Sequence, residues 1–217
     1  TINHLKRLDK FRFCHDDIGN NNLLASVVSN GHQAKLCGVV NFAAETHVDR
    51  SIEDPSLFYE TNVFGTHNLI QCLIKSDVYS HDFRFVHIST DEVFGSISEG
   101  EFDENSPYRP NSPYAASKAS ADHIVRASAH TFGFPAIVTN CSNNFGPFQF
   151  PEKLVPLTII RALQNKSLPI YGNGKQVRDW LYVEDHCDAI LRGFEAGMVN
   201  ETYLIGASNQ KDNMPVV

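Results

Sequence analysis

The 217-residue chain has no run of basic residues, no CxxC pair, no HxxxH or HExxH spacing and no apolar stretch of membrane-spanning length. Each absence removes a class of function. Lys and Arg number 18 against 25 Asp and Glu, for a net charge of -7. Nothing in that pattern neutralises successive phosphates, so nucleic acid is not an expected partner. A helix crossing a bilayer needs about 20 apolar residues in a row, so no membrane is expected either. The N-terminus shows no apolar signal core. The ten histidines lack metal-ligand spacing, and no metal is expected. The five cysteines, Cys14, Cys37, Cys72, Cys141 and Cys187, lie far apart. They read as reduced core thiols, which points to the cytoplasm. The sequons at Asn140, Asn165 and Asn200 are then chance matches. No internal repeat or low-complexity segment is visible.

What is present is an ordinary globular composition, 42% apolar, arranged as alternating strand and helix patterns. Residues 2–8 read as the tail of a helix, 11–14 as a short strand, and 20–30 as a helix. Residues 36–42 form a nearly continuous apolar run, as in a strand buried on both faces of a parallel sheet. A polar loop over 45–55 leads to a helix over 56–75, then a strand over 83–88. Ser112 is a good N-cap and Pro113 a good first helical residue. That helix runs to 132, where Gly133 stops it, and 135–140 is the next strand. Beyond residue 141 a polar, aromatic loop precedes a helix over 152–165, a strand over 168–171, a helix over 184–197 and a strand over 202–205. The alternation predicts an α/β fold: a Rossmann-like, doubly wound parallel sheet with a partial, smaller C-terminal substrate-binding region. Residues 1–140 would be the nucleotide-binding core and 141–217 a region interleaved with it.

Two stretches carry chemistry. In Ser112-Pro-Tyr-Ala-Ala-Ser-Lys118, Tyr114 and Lys118 stand one helical turn apart and share a face. A phenol of pKa near 10 is a poor base at neutral pH, and a nearby ammonium favours its phenolate. The pair could then accept a proton from a substrate hydroxyl. Thr90, at the carboxyl end of a strand where ligands of open α/β sheets bind, adds a hydroxyl. Asp91-Glu92 follows directly. A simple dehydrogenase needs one base, so two further carboxyls imply a second proton-transfer task such as loss of water. Mutual repulsion would split their pKa values, leaving one protonated and one ionised. Taken alone, YxxxK is a weak motif and an acidic pair in a loop is usually a solvated turn. Gly172-Asn173-Gly174-Lys175 lacks the third glycine of a dinucleotide loop and the spacing of a P-loop, and reads as a tight turn.

Together with Asn41-Phe-Ala-Ala-Glu-Thr-His-Val-Asp-Arg-Ser-Ile52, Ser89-Thr-Asp-Glu-Val-Phe-Gly95, Asn140-Cys-Ser-Asn-Asn-Phe-Gly146, Phe150-Pro-Glu-Lys-Leu154 and Tyr171-Gly-Asn-Gly-Lys-Gln-Val-Arg-Asp-Trp-Leu-Tyr-Val-Glu-Asp-His186, these stretches make the chain resemble the dTDP-glucose 4,6-dehydratases. Those enzymes belong to the extended short-chain dehydrogenase/reductase family. The resemblance spans nearly the whole chain. It places the family's glycine-rich turn before Thr1 and part of its sugar-nucleotide domain after Val217, so the chain reads as a fragment.

The resemblance implies NAD as cofactor and dTDP-glucose or a similar nucleotide sugar as substrate. Tyr114, with Thr90 and Lys118, would take the proton of the sugar 4-hydroxyl as hydride passes to NAD. Glu92 would then remove the C5 proton and Asp91 protonate the departing 6-hydroxyl. Hydride return to C6 would restore the cofactor. By the same resemblance, Asp17, Ile18, Phe42, Ala43, Ala44, Glu45, Thr61, Tyr114, Lys118 and Asn144 would line the NAD site. Thr46, Thr90, Asn143, Lys153, Leu154, Pro169, Ile170, Tyr171, Arg178 and Asn213 would hold the nucleotide sugar. The helices over 56–75 and 113–132 would form a homodimer interface. Position 94 is Phe where the family commonly has Tyr. The alternatives are a related nucleotide-sugar decarboxylase or epimerase, which needs no carboxyl pair for water loss, and a non-catalytic sugar-nucleotide-binding fragment.

Overall fold

The computed structural model describes residues 5–20, 22, 25–26, 36–76, 79–97, 99–168, 170 and 174–216, without the side chains of 79, 80, 214 and 215. Strands β1 (Leu36–Asn41), β2 (Tyr79–Thr90), β3 (Ala136–Cys141) and β6 (Thr202–Ile205) form a four-stranded sheet in the order β1-β2-β3-β6. All three pairings are parallel, as crossover helices require. Thr90 pairs with Cys141, and Cys141 with Ile205, so β2, β3 and β6 end level, while β1 ends at Asn41 opposite His87, three residues short of the end of β2. A second, three-stranded sheet joins β4 (Asn143–Phe145), β5 (Val177–Tyr182) and β7 (Gln210–Asp212).

Period-two alternation along β2 and β3 sends side chains to opposite faces, and both faces are covered. On one face Phe83, Phe85, Ala136 and Val138 pack with Leu69, Ile70, Leu73, Val125 and Ala129. The last five come from helix α2, which covers residues 56–76, and helix α3 (Pro113–Phe132). On the other face Val86 and Ile137 meet Ile190 and Phe194 of α5 (Val183–Ala196). The sheet is doubly wound, as expected. Each fully buried Phe, Ile or Leu stabilises the fold by about 1.5–3 kcal/mol.

Local sequence explains the elements that build the site. Ser112 Oγ accepts from Ala115 N at 3.1 Å, Pro113 opens α3, and Gly133 closes it at φ 63°. Helix α2 is not uniform: Ser56–Phe58 is α-helical, Tyr59–Gly65 is π-helical and Thr66–Ser76 is α-helical again. Such π-segments are frequent at functional sites. Helix α1 (Val48–Glu53) falls where the sequence reads as loop. It is held by His47, whose Nδ1 accepts from Arg50 N at 3.4 Å, and by the buried Ser51. Helix α4 (Leu154–Leu163) precedes β5, and the short α6 (Asn213–Val216) follows β7.

Several expectations are corrected. Phe11 to Cys14 is not a strand. With no neighbour to pair with among the described residues, Phe13 stays exposed, stacks on His15 and lies beneath the Lys6 ammonium. Of the helical tail expected over 2–8, residues 2–4 lie outside the described residues, Leu5 is helical, and the chain then turns through a bond from Leu8 N to Leu5 O, with Leu5 and Leu8 exposed. β1 is an edge strand of the described sheet, so Cys37, Val40 and Phe42 are exposed and its two faces are not both buried. Nor are the thiols a core set. All five are free, but Cys14, Cys37 and Cys187 are exposed and only Cys72 and Cys141 half-buried. Leu168 and Ile170 are not in a strand. Most of the helix expected over 20–30, with Pro169, Tyr171 and the start of the turn at Gly172, lies outside the described residues. Among the described residues no helix is long and apolar enough to cross a membrane.

Candidate active site

Thr90 ends β2 and caps the 3-10 turn Asp91–Phe94. Its hydroxyl accepts from Glu92 N at 3.3 Å and donates to Asp91 Oδ1 at 3.2 Å. Gly95 closes the turn at φ 83°, where a Cβ would run into Arg109 O. The carboxyl pair is therefore fixed by backbone geometry and is not a solvated acidic turn. Burial pushes the Asp91 carboxyl above its usual range against the pull of Thr90 and Arg178. Burial pushes Glu92 up as well, aided by the charge of Asp91 and opposed by Arg178 and Lys153. Both shifts run the same way, so burial, not repulsion alone, governs the pair.

Tyr114 sits on the second position of α3, with its phenol buried. Its backbone N–H, one of the helix's orphan donors, bonds Ser51 Oγ at 3.1 Å. Ser51 Oγ in turn donates to Val48 O at 2.6 Å. Helix α1 thus caps the catalytic-candidate helix. Burial holds the phenol far above its ordinary pKa, reinforced by Glu92 and Cys141, while a hydrogen bond with Thr90 lowers it. One turn on, Lys118 is buried and donates from Nζ to Ile88 O at 2.6 Å. Thr90, Asp91, Glu92, Tyr114 and Lys118 therefore converge at the carboxyl ends of β2 and β3.

The residues expected to bind NAD divide by position. Phe42, Ala43, Ala44 and Glu45 follow the end of β1, with Ala43 N bonded to Asn41 Oδ1 at 3.2 Å. Glu45 is latched to Asn62 of the π-segment: Glu45 N donates to Asn62 Oδ1 at 2.8 Å, and Asn62 Nδ2 donates back to Glu45 O at 3.0 Å. Asn62 Nδ2 also reaches Ser117 Oγ at 2.8 Å. Thr61 is the neighbouring π residue, half-buried. Ile18 packs against the core at Gly65, where a Cβ would lie 2.6 Å from Ile18 Cγ2. Asp17 beside it is exposed. Asn144 donates to Ser142 O at 3.0 Å, and its Oδ1 lies 2.8 Å from His186 Nδ1. A dinucleotide ribose fits this set in one respect. Lys118 has three N–H donors, and a single acceptor is recorded for them among the described residues.

The residues expected to hold the nucleotide sugar are more dispersed. Lys153 Nζ donates to Thr46 O at 2.8 Å, tying the start of α4 to the loop after β1. Arg50 reinforces that joint through Glu152 at 2.8 Å. Leu154 opens α4, half-buried, and Asn143 opens β4 opposite Trp180. Arg178 on β5 is exposed, and its charge reaches both Asp91 and Glu92. Asn213 N donates to Gln176 O at 3.0 Å, while Asn213 Oδ1 and Gln176 Oε1 are buried without partners among the described residues. Ile170 is exposed, away from any recorded partner among these residues. Sequence reading missed Ser51, Asn62, Arg50 and Glu152. Arg50, Ser51 and Glu152 lie inside the family-like stretches quoted above, whereas Asn62 lies in none of them.

The family model described as GDP-mannose 4,6 dehydratase matches residues 1–216. The dTDP-glucose 4,6-dehydratase of Xanthomonas campestris pv. campestris strain B100 is 51% identical over 211 residues, covering 94% of this chain and 59% of that protein. An Escherichia coli dTDP-glucose 4,6-dehydratase is 45% identical, covering 100% of this chain and 63% of its own length. The crystal structure of DesIV, a dTDP-glucose 4,6-dehydratase from Streptomyces venezuelae with NAD bound, superposes with TM-score 0.92 at 43% identity, covering 99% of this chain and 64% of that one. The chain thus spans about three fifths of the length of these relatives.

Proposed function

The chain belongs to the GDP-mannose 4,6 dehydratase family, and on that premise we propose that it serves the dehydration of dTDP-glucose to dTDP-4-keto-6-deoxy-glucose with bound NAD. The observation that carries the proposal is the half-buried Asp91–Glu92 pair, fixed in a turn whose carboxylate charges act on the Tyr114 phenol. A redox-only enzyme has no use for two costly, partly desolvated carboxyls at that place. The relatives' names and the NAD held by DesIV support the same substrate and cofactor.

In this reading NAD, when bound, supplies a two-electron acceptor that is restored within each turnover. Lys118, with donors to spare, and the loop Phe42 to Glu45 would hold it, with Asp17, Ile18, Thr61 and Asn144 along its length. Tyr114 takes the proton of the sugar 4-hydroxyl, with Thr90 as hydrogen-bond partner. The 4-ketone acidifies the hydrogen on C5. Glu92 removes that proton and Asp91 gives one to the 6-hydroxyl, which leaves as water. Raised pKa values suit Asp91, which must be protonated to act as acid. Glu92, raised too, is matched as a base to a weakly acidic C–H. Arg178 and Lys153 would pair with the diphosphate, with Thr46, Asn143, Leu154, Pro169, Ile170, Tyr171 and Asn213 around the nucleotide sugar. Residues 1–140 then serve mainly the cofactor and 141–217 mainly the sugar nucleotide. Exposed Leu57 and Phe64 on α2 and Phe132 on α3 suit a homodimer through those helices, and a cytoplasmic setting suits the free thiols.

The test is the double variant Asp91→Asn with Glu92→Gln in the intact protein. It is expected to bind nucleotide sugar yet form no 4-keto-6-deoxy product. Turnover near the wild-type rate would remove both carboxyls from the elimination.

A further inference from the structure

Beneath Lys118, on the same face of α3, lies a fully buried carboxylate that the reaction does not use. Asp122 follows Lys118 by one helical turn, and Arg126 follows Asp122 by another, so Tyr114, Lys118, Asp122 and Arg126 form one stripe. Asp122 is 0% exposed and Lys118 4%. Asp122 Oδ2 accepts from Ser89 Oγ at 2.8 Å, from Tyr108 OH at 2.8 Å and from Asn140 Nδ2 at 3.3 Å. Its Oδ1 stands 3.3 Å from His87 Nε2, and neither atom has another polar partner among the described residues. Lys118 Nζ is bonded to Ile88 O and Asp122 to Ser89 Oγ, adjacent residues of β2.

We propose that Asp122 is a positioning residue, the buried counter-charge that keeps Lys118 an ammonium beside Tyr114 while His87 packs against it as a neutral ring. The proposal rests on the proton-transfer role of Tyr114 given above. Burial with no anion beside it would discharge a lysine. The groups around the pair are consistent with one positive and one negative charge. Facing Lys118 are Asp122 from α3, His87 from β2 and Cys141 from β3, with Tyr114 one helical turn before it. Facing Asp122 are His87, Ser89, Asn140 and Tyr108, with Arg126 bonded to Tyr108 OH at 2.7 Å. Burial lowers Lys118, opposed by Asp122. Burial alone would raise Asp122, but His87, Lys118 and Tyr108 together hold it low. Burial, then the Lys118 charge, lowers His87, which is therefore neutral.

The experiment follows Lys118 itself, by the 13Cε resonance of labelled lysine across a pH titration of the intact protein. The Asp122→Asn variant is expected to lower the Lys118 midpoint by about 1–3 pH units, the range for loss of an opposite charge at close range. Asp122→Glu, which keeps the charge, is expected to restore the midpoint even where the melting temperature stays depressed. Should Asp122→Asn not fold, Asp122→Ser carries the test. It too removes the charge, and it is expected to lower the midpoint in the same way. An unchanged Lys118 midpoint in a folded variant, with only the melting temperature reduced, overturns the proposal. A shifted midpoint in a protein that turns over no nucleotide sugar would uphold the pairing and refute the proposed activity. Turnover with an unmoved midpoint would do the reverse.

Discussion

Replacing Asn62 with Ala removes three hydrogen bonds and touches none of the reacting groups. Asn62 is 1% exposed, and its amide joins Glu45 N, Glu45 O and Ser117 Oγ. Ser117 Oγ keeps its 2.7 Å bond to Tyr114 O, so the loss falls on the Glu45 peptide. A buried donor or acceptor left unpaired costs about 1–3 kcal/mol. Glu45 is half-buried, so water can recover part of that, and about 2 kcal/mol is the expected net loss. At about 2–4 °C per kcal/mol for a domain of this size, the melting temperature should fall by roughly 4–8 °C. The loop from Ala43 to Thr46 would lose its tether to α2 and α3, so NAD affinity should fall with it. Differential scanning fluorimetry with and without NAD reads both effects. An unchanged melting temperature, or a loss of stability with NAD affinity intact, would refute the view that Asn62 holds this loop for the cofactor.

Other outcomes follow from the same geometry. Gly95→Ala must relieve both a φ of 83° and a clash with Arg109 O. Strain of that kind costs about 1–3 kcal/mol before the clash is added, so thermal unfolding should show a clear drop together with loss of turnover. Asp91→Asn with Glu92→Gln should stabilise the protein at pH 8. Both folded-state carboxyls sit above their unfolded pKa values, so the wild type loses stability as pH rises through that window. The gain should vanish at pH below the ordinary carboxylate range, and melting curves at the two pH values check it. His87 has the opposite sign: its lowered pKa contributes stability above the unfolded value near 6.5, lost as pH falls below it. A His87 imidazole 13C shift that titrates at its ordinary value would contradict this.

Helix α3 was legible to the residue, because Ser112, Pro113 and Gly133 are strong local signals that agree with the tertiary structure. The parallel strands were legible from apolar runs, but whether a run is buried on both faces depends on its place in the sheet. β1 lies at an edge of the described sheet, so Val40 and Phe42 are exposed where the run suggested burial. Helix α1 was hidden in a polar loop, because its worth lies in Ser51 capping a helix 63 residues on. The second sheet escaped notice because β4, β5 and β7 are short and distant in sequence. Within the site, Thr90, Tyr114 and Lys118 could be placed from helical spacing and a strand end. The half-buried setting of Asp91 and Glu92 could not, since a short acidic pair looks the same in a solvated turn. Asp122 and Asn62 carry no motif. They are defined by what surrounds them, which only packing reveals.

The central claim is that a carboxyl pair at the end of β2 turns a redox site into a dehydratase. It is tested most directly by incubating the intact, NAD-loaded protein with dTDP-glucose and identifying the sugar nucleotide by mass and NMR. The account requires loss of one water and a 4-keto-6-deoxy product, with no net consumption of NAD. Release of a 4-keto or 4-epimeric sugar that keeps its 6-hydroxyl would contradict it.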